Sequence, residues 1–186
     1  MITDIFEKNI IKILTMFSIS PGSRFTRNEI KEKIMLNNIP LDNALNTLLK
    51  NKILIKERRF LGLNFENKYL NNLLDIVKKE HLRFREVELK IYYLILDISF
   101  VLSNIKNIDI YLFGSYAKLI YTEKSDVDLA IFLEEEDKKV IKKIKKDLDK
   151  IERKCNKNIE LHFFEKKDMK EKDPMIREIL KNGILI

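Results

Sequence analysis

The chain has 186 residues, 45% of them hydrophobic and only three of them proline, which excludes a disordered polymer and leaves room for one large domain or two small ones. Its net charge of +7 is uneven: residues 1–70 carry 12 Lys and Arg against 7 Asp and Glu, whereas residues 71–186 carry 24 against 22. The basic first third hints at a polyanionic partner, although many folded domains show as large an excess. The single cysteine, Cys155, excludes an internal disulfide and fits a reducing cytoplasm.

Asp4, Glu7 and Lys8 interrupt the first apolar residues, so no signal peptide is expected. The first helix spans 4–18, with Ile5, Phe6, Ile10, Ile11, Leu14 and Phe17 on one stripe, and Pro21-Gly22 ends it. A second helix opens at Thr26, whose spacing to Glu29 is that of a capping box. Pro40 suits the first turn of a third helix with Leu41, Ala44, Leu45, Leu48 and Leu49 on its buried face. Residues 53–55 and 65–70 then read as two strands around a turn at Leu61-Gly62-Leu63-Asn64.

Three helices followed by a hairpin resemble a winged helix-turn-helix. On that reading Asn43, Asn46, Thr47 and Lys50 of the third helix face bases, and Lys56, Arg58 and Arg59 of the hairpin face phosphates. The same pattern also serves as a packing or dimerisation module whose charges form a solvated face. Both readings stand at this point.

Residues 71–104 are helical almost throughout and long for one helix, so two helices are expected to meet near 83–88. The apolar window 91–105 contains Asp97 and is shorter than the roughly 20 residues that a membrane span needs; it is expected to be a buried helix. His81 is expected to be structural. Strands are then expected at 108–113, 126–133 and 158–164. Helices are expected at 116–120, 138–154 and 174–180, and the alternation argues for layered α/β packing. The basic run 138–146 alternates with apolar residues at helical spacing, the mark of a solvated helix face rather than an RNA-binding patch.

The chemistry concentrates on the strands. Side chains alternate with period two, so Asp126 and Asp128 share one face of the second strand while Val127, Leu129, Ile131 and Leu133 share the other. Their Cα atoms lie about 6.6 Å apart at this rise. Two carboxylates so close repel unless a cation lies between them, and Mg²⁺ is the natural one. The first strand delivers Gly114-Ser115 into a short helix: the glycine admits a phosphate near the backbone, the serine hydroxyl donates, and Lys118 adds positive charge. A phosphate cradle beside a metal-binding pair is what metal-assisted phosphoryl or nucleotidyl transfer requires. If the third strand neighbours the second, Glu160 joins the aspartates and can help remove a proton from the attacking hydroxyl. His162 shares the face of Glu160. It reads chiefly as polar packing, with contact to substrate or to a metal's ligands as the lesser alternative.

Gly114-Ser115, ten residues, then Asp126-x-Asp128, with a carboxylate on a later strand, resembles the DNA polymerase β nucleotidyltransferase superfamily, and most closely its minimal prokaryotic and archaeal members. The stretch 110–132, IYLFGSYAKLIYTEKSDVDLAIF, carries most of the resemblance, which extends over about 87–186 and includes IELHFF and DPMIREILKNGILI. The resemblance implies a small mixed sheet flanked by helices (the nucleotidyltransferase fold) over 87–186, in an α+β protein whose helical pattern gives a connector over 71–86 and whose general three-helix-and-hairpin pattern gives a winged-helix-like domain over 1–70. It implies two Mg²⁺ ions held by Asp126, Asp128 and Glu160. It further implies NTP phosphates on Gly114, Ser115 and Lys118, and transfer of AMP from ATP to a hydroxyl of a protein or nucleic acid. Minimal members often act as antitoxins that modify a HEPN-type toxin, so such a partner is expected, with DNA on the N-terminal domain and a homodimer as further expectations. No membrane is expected. The family commonly reads Ala-Arg-Gly where this chain has Ala117-Lys118-Leu119; lysine keeps the charge but not the bidentate fork, and loss of the glycine is expected to alter the following loop. The competing readings are a DNA-binding regulator with a nucleotide-sensing or inactive transferase domain, and a module that neutralises a toxin by contact alone.

Overall fold

A computed structural model describes residues 7–84, 87–170 and 173–186, and the chain divides into two compact units, Met1–Arg83 and Phe84–Ile186. The expected contributions of Asp4, Ile5 and Phe6 to the first helix lie outside the described residues.

In the first unit α1 (Lys8–Ile19) is buried along most of its length, from Ile10 to Ser18. Helix α2 (Arg27–Ile34) opens on the capping box legible in the sequence: the Thr26 hydroxyl accepts the Glu29 N–H, and the Glu29 carboxylate accepts the Thr26 N–H at 2.6 Å. Helix α3 (Asn38–Lys50) carries Pro40 in its first turn and buries Leu41, Ala44, Leu45 and Leu48. Leu49 is only half-buried.

The hairpin differs from its expected register. Strands β2 (Leu54–Glu57) and β3 (Phe60–Leu63) pair with Glu57 opposite Phe60, so the two-residue turn is Arg58-Arg59 rather than 61–64. Arg58 takes the left-handed conformation there, φ 55°. Gly62 sits inside β3 opposite Ile55, where a Cβ would meet the Arg24 side chain at 3.4 Å. The glycine thus serves close packing in a strand, not a turn. Residues 65–69 form turns instead of a strand, and Leu70 begins α4 (Leu70–Arg83), which packs on α1. A short β1 (Phe25–Thr26) completes an antiparallel sheet of order β1-β3-β2.

The second unit begins with α5 (Leu89–Leu102), nine of whose residues are buried, Asp97 among them. Asp97 faces Lys154 of α7 (Lys138–Cys155) at 3.5 Å. The four strands β4 (Ile108–Leu112), β5 (Val127–Leu133), β6 (Ile159–Glu165) and β7 (Ile184–Leu185) form a sheet of order β6-β5-β4-β7. The sheet is mixed: β4 runs antiparallel to β5 and to β7, whereas β5 and β6 are parallel. Parallel neighbours need a crossover, and α7 supplies it, buried along Ile144, Leu148 and Ile151. The fold class is therefore α+β with a small mixed sheet flanked by helices.

Strand β5 is buried on both faces. Its face carrying Ala130 and Phe132 is covered by Ile176 and Ile179 of α8 (Pro174–Asn182). That helix starts on Asp173, which caps the Met175 and Ile176 N–H groups, with Pro174 in the first position. The C-terminal strand β7, too short to show a period in sequence, pairs with Tyr111 and Leu112. Gly183 permits the turn into it, because a Cβ there would lie 2.4 Å from the Ile179 carbonyl oxygen. Among the described residues no helix is long and apolar enough to cross a membrane.

Loss of the α2 capping box is expected to cost about 1 kcal/mol. Thr26→Ala should lower the urea midpoint accordingly with an unchanged m-value; a midpoint within error of the wild type would show that the cap does not hold this helix.

Candidate active site

The site forms where the end of β4 meets the beginnings of β5 and β6. Phe113 donates its N–H to the Asp128 carbonyl at 3.0 Å, which carries the β4 backbone past the first turn of β5. Parallel pairing sets Asp128 directly opposite Glu160 and Ala130 opposite His162. A carboxylate oxygen of Asp128, one of Glu160 and a ring nitrogen of His162 all lie within 4.8 Å of one another. His162 Nε2 stands 3.2 Å from Glu160 Oε1. The imidazole edge also packs against the Phe113 ring, with centroids 5.2 Å apart.

The turn after β4 wraps this cluster. Helix α6 (Gly114–Ala117) begins at Gly114 itself, two residues earlier than its expected start. Gly114 has φ +67°, and a Cβ added there would lie 2.0 Å from Asp128 Oδ2. Glycine is therefore demanded twice, by a left-handed backbone and by the carboxylate that occupies the side-chain position. The Ser115 N–H donates to the same carboxylate. The glycine expected to admit a phosphate admits Asp128 first, and any phosphate approaches a backbone already fastened to that aspartate.

Burial and the neighbouring Glu160 push the Asp128 carboxyl above the ordinary aspartate range, and Asp126 pushes the same way. The His162 ring and the Ser115 N–H oppose the shift. Asp126 is half-buried just ahead of β5. It acts on Asp128 through charge but stands outside the tight group of Asp128, Glu160 and His162. The residues fit a divalent cation: two carboxylates and an imidazole converge, and a third carboxylate is near. The imidazole, weighted toward packing on sequence grounds, stands with the carboxylates. Its signal was present in the alternation Glu160-x-His162, which puts both on one strand face.

Lys118 is placed differently from its expected role. Its ammonium lies 2.7 Å from Glu178 of α8, and Asn182 donates to the same carboxylate oxygen at 3.0 Å. These contacts hold the Glu178 carboxyl below its ordinary range, Lys118 first. No pattern in the sequence flagged Glu178, which the fold alone brings to Lys118. Leu119 keeps the backbone of a glycine, with φ 58°, at a cost of roughly 1–2 kcal/mol for a residue with a Cβ. That strain is what Leu119 brings to the loop in the usual glycine position. The loop closes through the Ile120 N–H on the Ser115 carbonyl at 3.0 Å and the stacking of Tyr116 on Tyr121, centroids 4.3 Å apart.

In the other unit Asn43, Asn46 and Lys50 are exposed on α3. Thr47 is half-buried and donates its hydroxyl to the Asn43 carbonyl of its own helix at 3.0 Å. Arg58 and Arg59 form the hairpin turn, with the Arg59 guanidinium 5.2 Å from the Phe60 ring centroid. Asn46, Lys56, Arg58 and Arg59 line a cleft of about 660 Å³ between α3 and the hairpin.

Residues 96–186 match the family model described as Polymerase beta, Nucleotidyltransferase. The matched segment runs from within α5 through β7 and includes Gly114, Ser115, Asp126, Asp128, Glu160 and His162. The match supports a nucleotidyltransferase domain in the second unit and the relation to the polymerase β superfamily. No curated protein matches the chain.

Because Asp128 has its carboxyl pKa raised on folding, its stabilising contribution is present below the unfolded value and lost as pH rises through the folded one. In metal-free protein held with a chelator, Asp128→Asn should therefore be more stable than wild type near pH 7. The advantage should vanish as pH falls below the ordinary aspartate value of 3.8. Urea denaturation across that range checks it; a variant less stable at neutral pH would contradict the electrostatic account.

Proposed function

We propose that residues 96–186 form a metal-dependent nucleotidyltransferase that moves AMP from ATP to a hydroxyl group. The observation that carries this reading is the in-register pair Asp128 and Glu160, set beside a backbone turn that closes on Asp128. The acceptor oxygen attacks the α-phosphorus, the α–β phosphoanhydride bond breaks, and pyrophosphate leaves. Asp126, Asp128 and Glu160 are the residues to hold Mg²⁺ ions, two by resemblance, which when bound screen the triphosphate and align the entering and leaving oxygens. Glu160, whose side chain is 54% exposed, is the carboxylate available to take the acceptor's proton. Gly114 and Ser115 supply the backbone and hydroxyl groups that face phosphate, and Lys118 reaches it by exchanging Glu178 for the anion.

The acceptor class is a hydroxyl on a protein or nucleic acid. A HEPN-type toxin as the protein acceptor, the chain then acting as its antitoxin, rests on the resemblance of residues 110–132 to minimal prokaryotic transferases. With α-labelled ATP, Mg²⁺ and that partner or RNA, label should pass to the acceptor with release of pyrophosphate. Asp126→Asn and Asp128→Asn should each lower the rate at least about 100-fold, since the bound charge contributes several kcal/mol to the transition state. Absence of transfer to either acceptor by metal-loaded protein would retire the reading.

A second reading concerns the first unit. Three helices, a sheet of order β1-β3-β2 and a turn bearing Arg58 and Arg59 support a winged-helix DNA-binding domain. Here α3 presents Asn43, Asn46 and Lys50, and the turn meets phosphates. Binding to DNA upstream of its own gene should be salt-sensitive, and the double variant Arg58→Ala/Arg59→Ala should weaken it and flatten the salt slope by about 2. Equal, weak affinity for all DNA sequences at physiological salt would exclude sequence-specific regulation.

A further inference from the structure

Magnesium, the ion implied for this centre, binds oxygen almost exclusively. The cluster at the starts of β5 and β6 is not purely oxygen: His162 contributes a ring nitrogen alongside Asp128 and Glu160, all three within 4.8 Å. Adjacent ligands on an octahedral ion bound at about 2.1 Å stand about 3.0 Å apart. The 3.2 Å between His162 Nε2 and Glu160 Oε1 matches the spacing of two neighbouring ligands on one ion, and equally that of an imidazole N–H donated to the carboxylate, so metal coordination is what the test below must separate from a hydrogen bond.

The placement is built by the sheet rather than by chance rotamers. Two residues along β6 put Glu160 and His162 on one face. The ladder partner of His162 is Ala130, whose methyl group leaves lateral room that a larger side chain would fill. The Phe113 ring meets the imidazole edge-on at 5.2 Å and limits its rotation. His162 is three-quarters covered, with a side-chain exposure of 26%, so its nitrogen is held in the cluster instead of trailing in solvent.

The geometry points to His162 as a direct metal ligand that makes this centre select a first-row transition ion, Mn²⁺ above Mg²⁺. Imidazole adds little for magnesium but strengthens binding of the transition series, whose affinities for nitrogen sites rise above that of Mg²⁺. Mn²⁺ also accepts carboxylate and phosphate oxygen, so it keeps the chemistry of the transferase reading on which this inference rests. His162 thereby sets metal choice, a role separate from the charge supplied by Asp126 and Asp128.

The test uses the full-length protein with Mn²⁺ as the probe, read by pulsed electron paramagnetic resonance and by competition with Mg²⁺. Wild type should bind Mn²⁺ at least tenfold more tightly than Mg²⁺, and the bound ion should show modulation from a directly coordinated nitrogen. Incorporation of ¹⁵N-histidine should change that modulation. His162→Gln should abolish it, weaken Mn²⁺ about tenfold or more and leave Mg²⁺ within about twofold, since even outer partners of a metal site are worth 10–100-fold. Absence of nitrogen coupling in wild type, or a Mn²⁺/Mg²⁺ ratio unchanged in the variant, would overturn the proposal; the isotope measurement on wild type decides it even if the variant fails to fold. Nitrogen coupling without label transfer to any acceptor would retire the transferase reading while leaving the metal ligand in place.

Discussion

Two carboxylates placed side by side by parallel strand pairing govern the second unit. Asp128 and Glu160 are ladder partners, and the Glu160 charge raises the cost of ionising Asp128. The Ser115 N–H and the His162 ring offset part of that cost. The arrangement makes physical sense as a cation site at the edge of a buried sheet. The rest of the unit supports it: α7 returns the chain so that β6 lies parallel to β5, and α8 buries the same face of β5 further along, at Ala130 and Phe132. One strand face thus passes within a few residues from an open charged end to a closed apolar one.

The turn after β4 is fastened to this pair by contact rather than by proximity in sequence. Gly114 yields its side-chain space to the Asp128 carboxylate, and Ser115 donates its N–H to the same group. The motif Gly-Ser and the motif Asp-x-Asp are consequently one object. The glycine stands where it does because an aspartate fourteen residues later needs the volume. Beyond the turn, Leu119 holds a left-handed backbone despite its Cβ. Lys118, just past the turn, is meanwhile tied to Glu178.

The first unit shows how a turn signal can mislead. Gly62 and Asn64 mark a turn by composition, yet Gly62 lies in the middle of β3, paired with Ile55 and with Arg24 in van der Waals reach of its side-chain position. The actual turn is made by Arg58 and Arg59, residues with no preference for the positive φ that Arg58 adopts. Its consequence is functional: two guanidinium groups stand at the apex of the hairpin rather than along its arm, beside the cleft they share with Asn46 and Lys56.

Much of this protein is written locally and is readable for that reason. The Thr26–Glu29 cap, the break between the two helices after Arg83, the three longer strands of the second unit and the face shared by Asp126 and Asp128 follow from spacing along one segment. The family resemblance of residues 110–132 is legible in the same way, since its residues are fixed by position in the chain. Tertiary structure alone decided what depends on two segments meeting. The ladder register sets Glu160 against Asp128 and brings His162 into the group; Lys118 meets Glu178 only through α8; Gly62 sits in a strand through its pairing with Ile55; and β7, two residues long, exists only through its pairing with β4. Period and capping are properties of one chain segment, whereas register, volume exclusion and charge pairing are properties of two, and a linear pattern records the first kind but not the second.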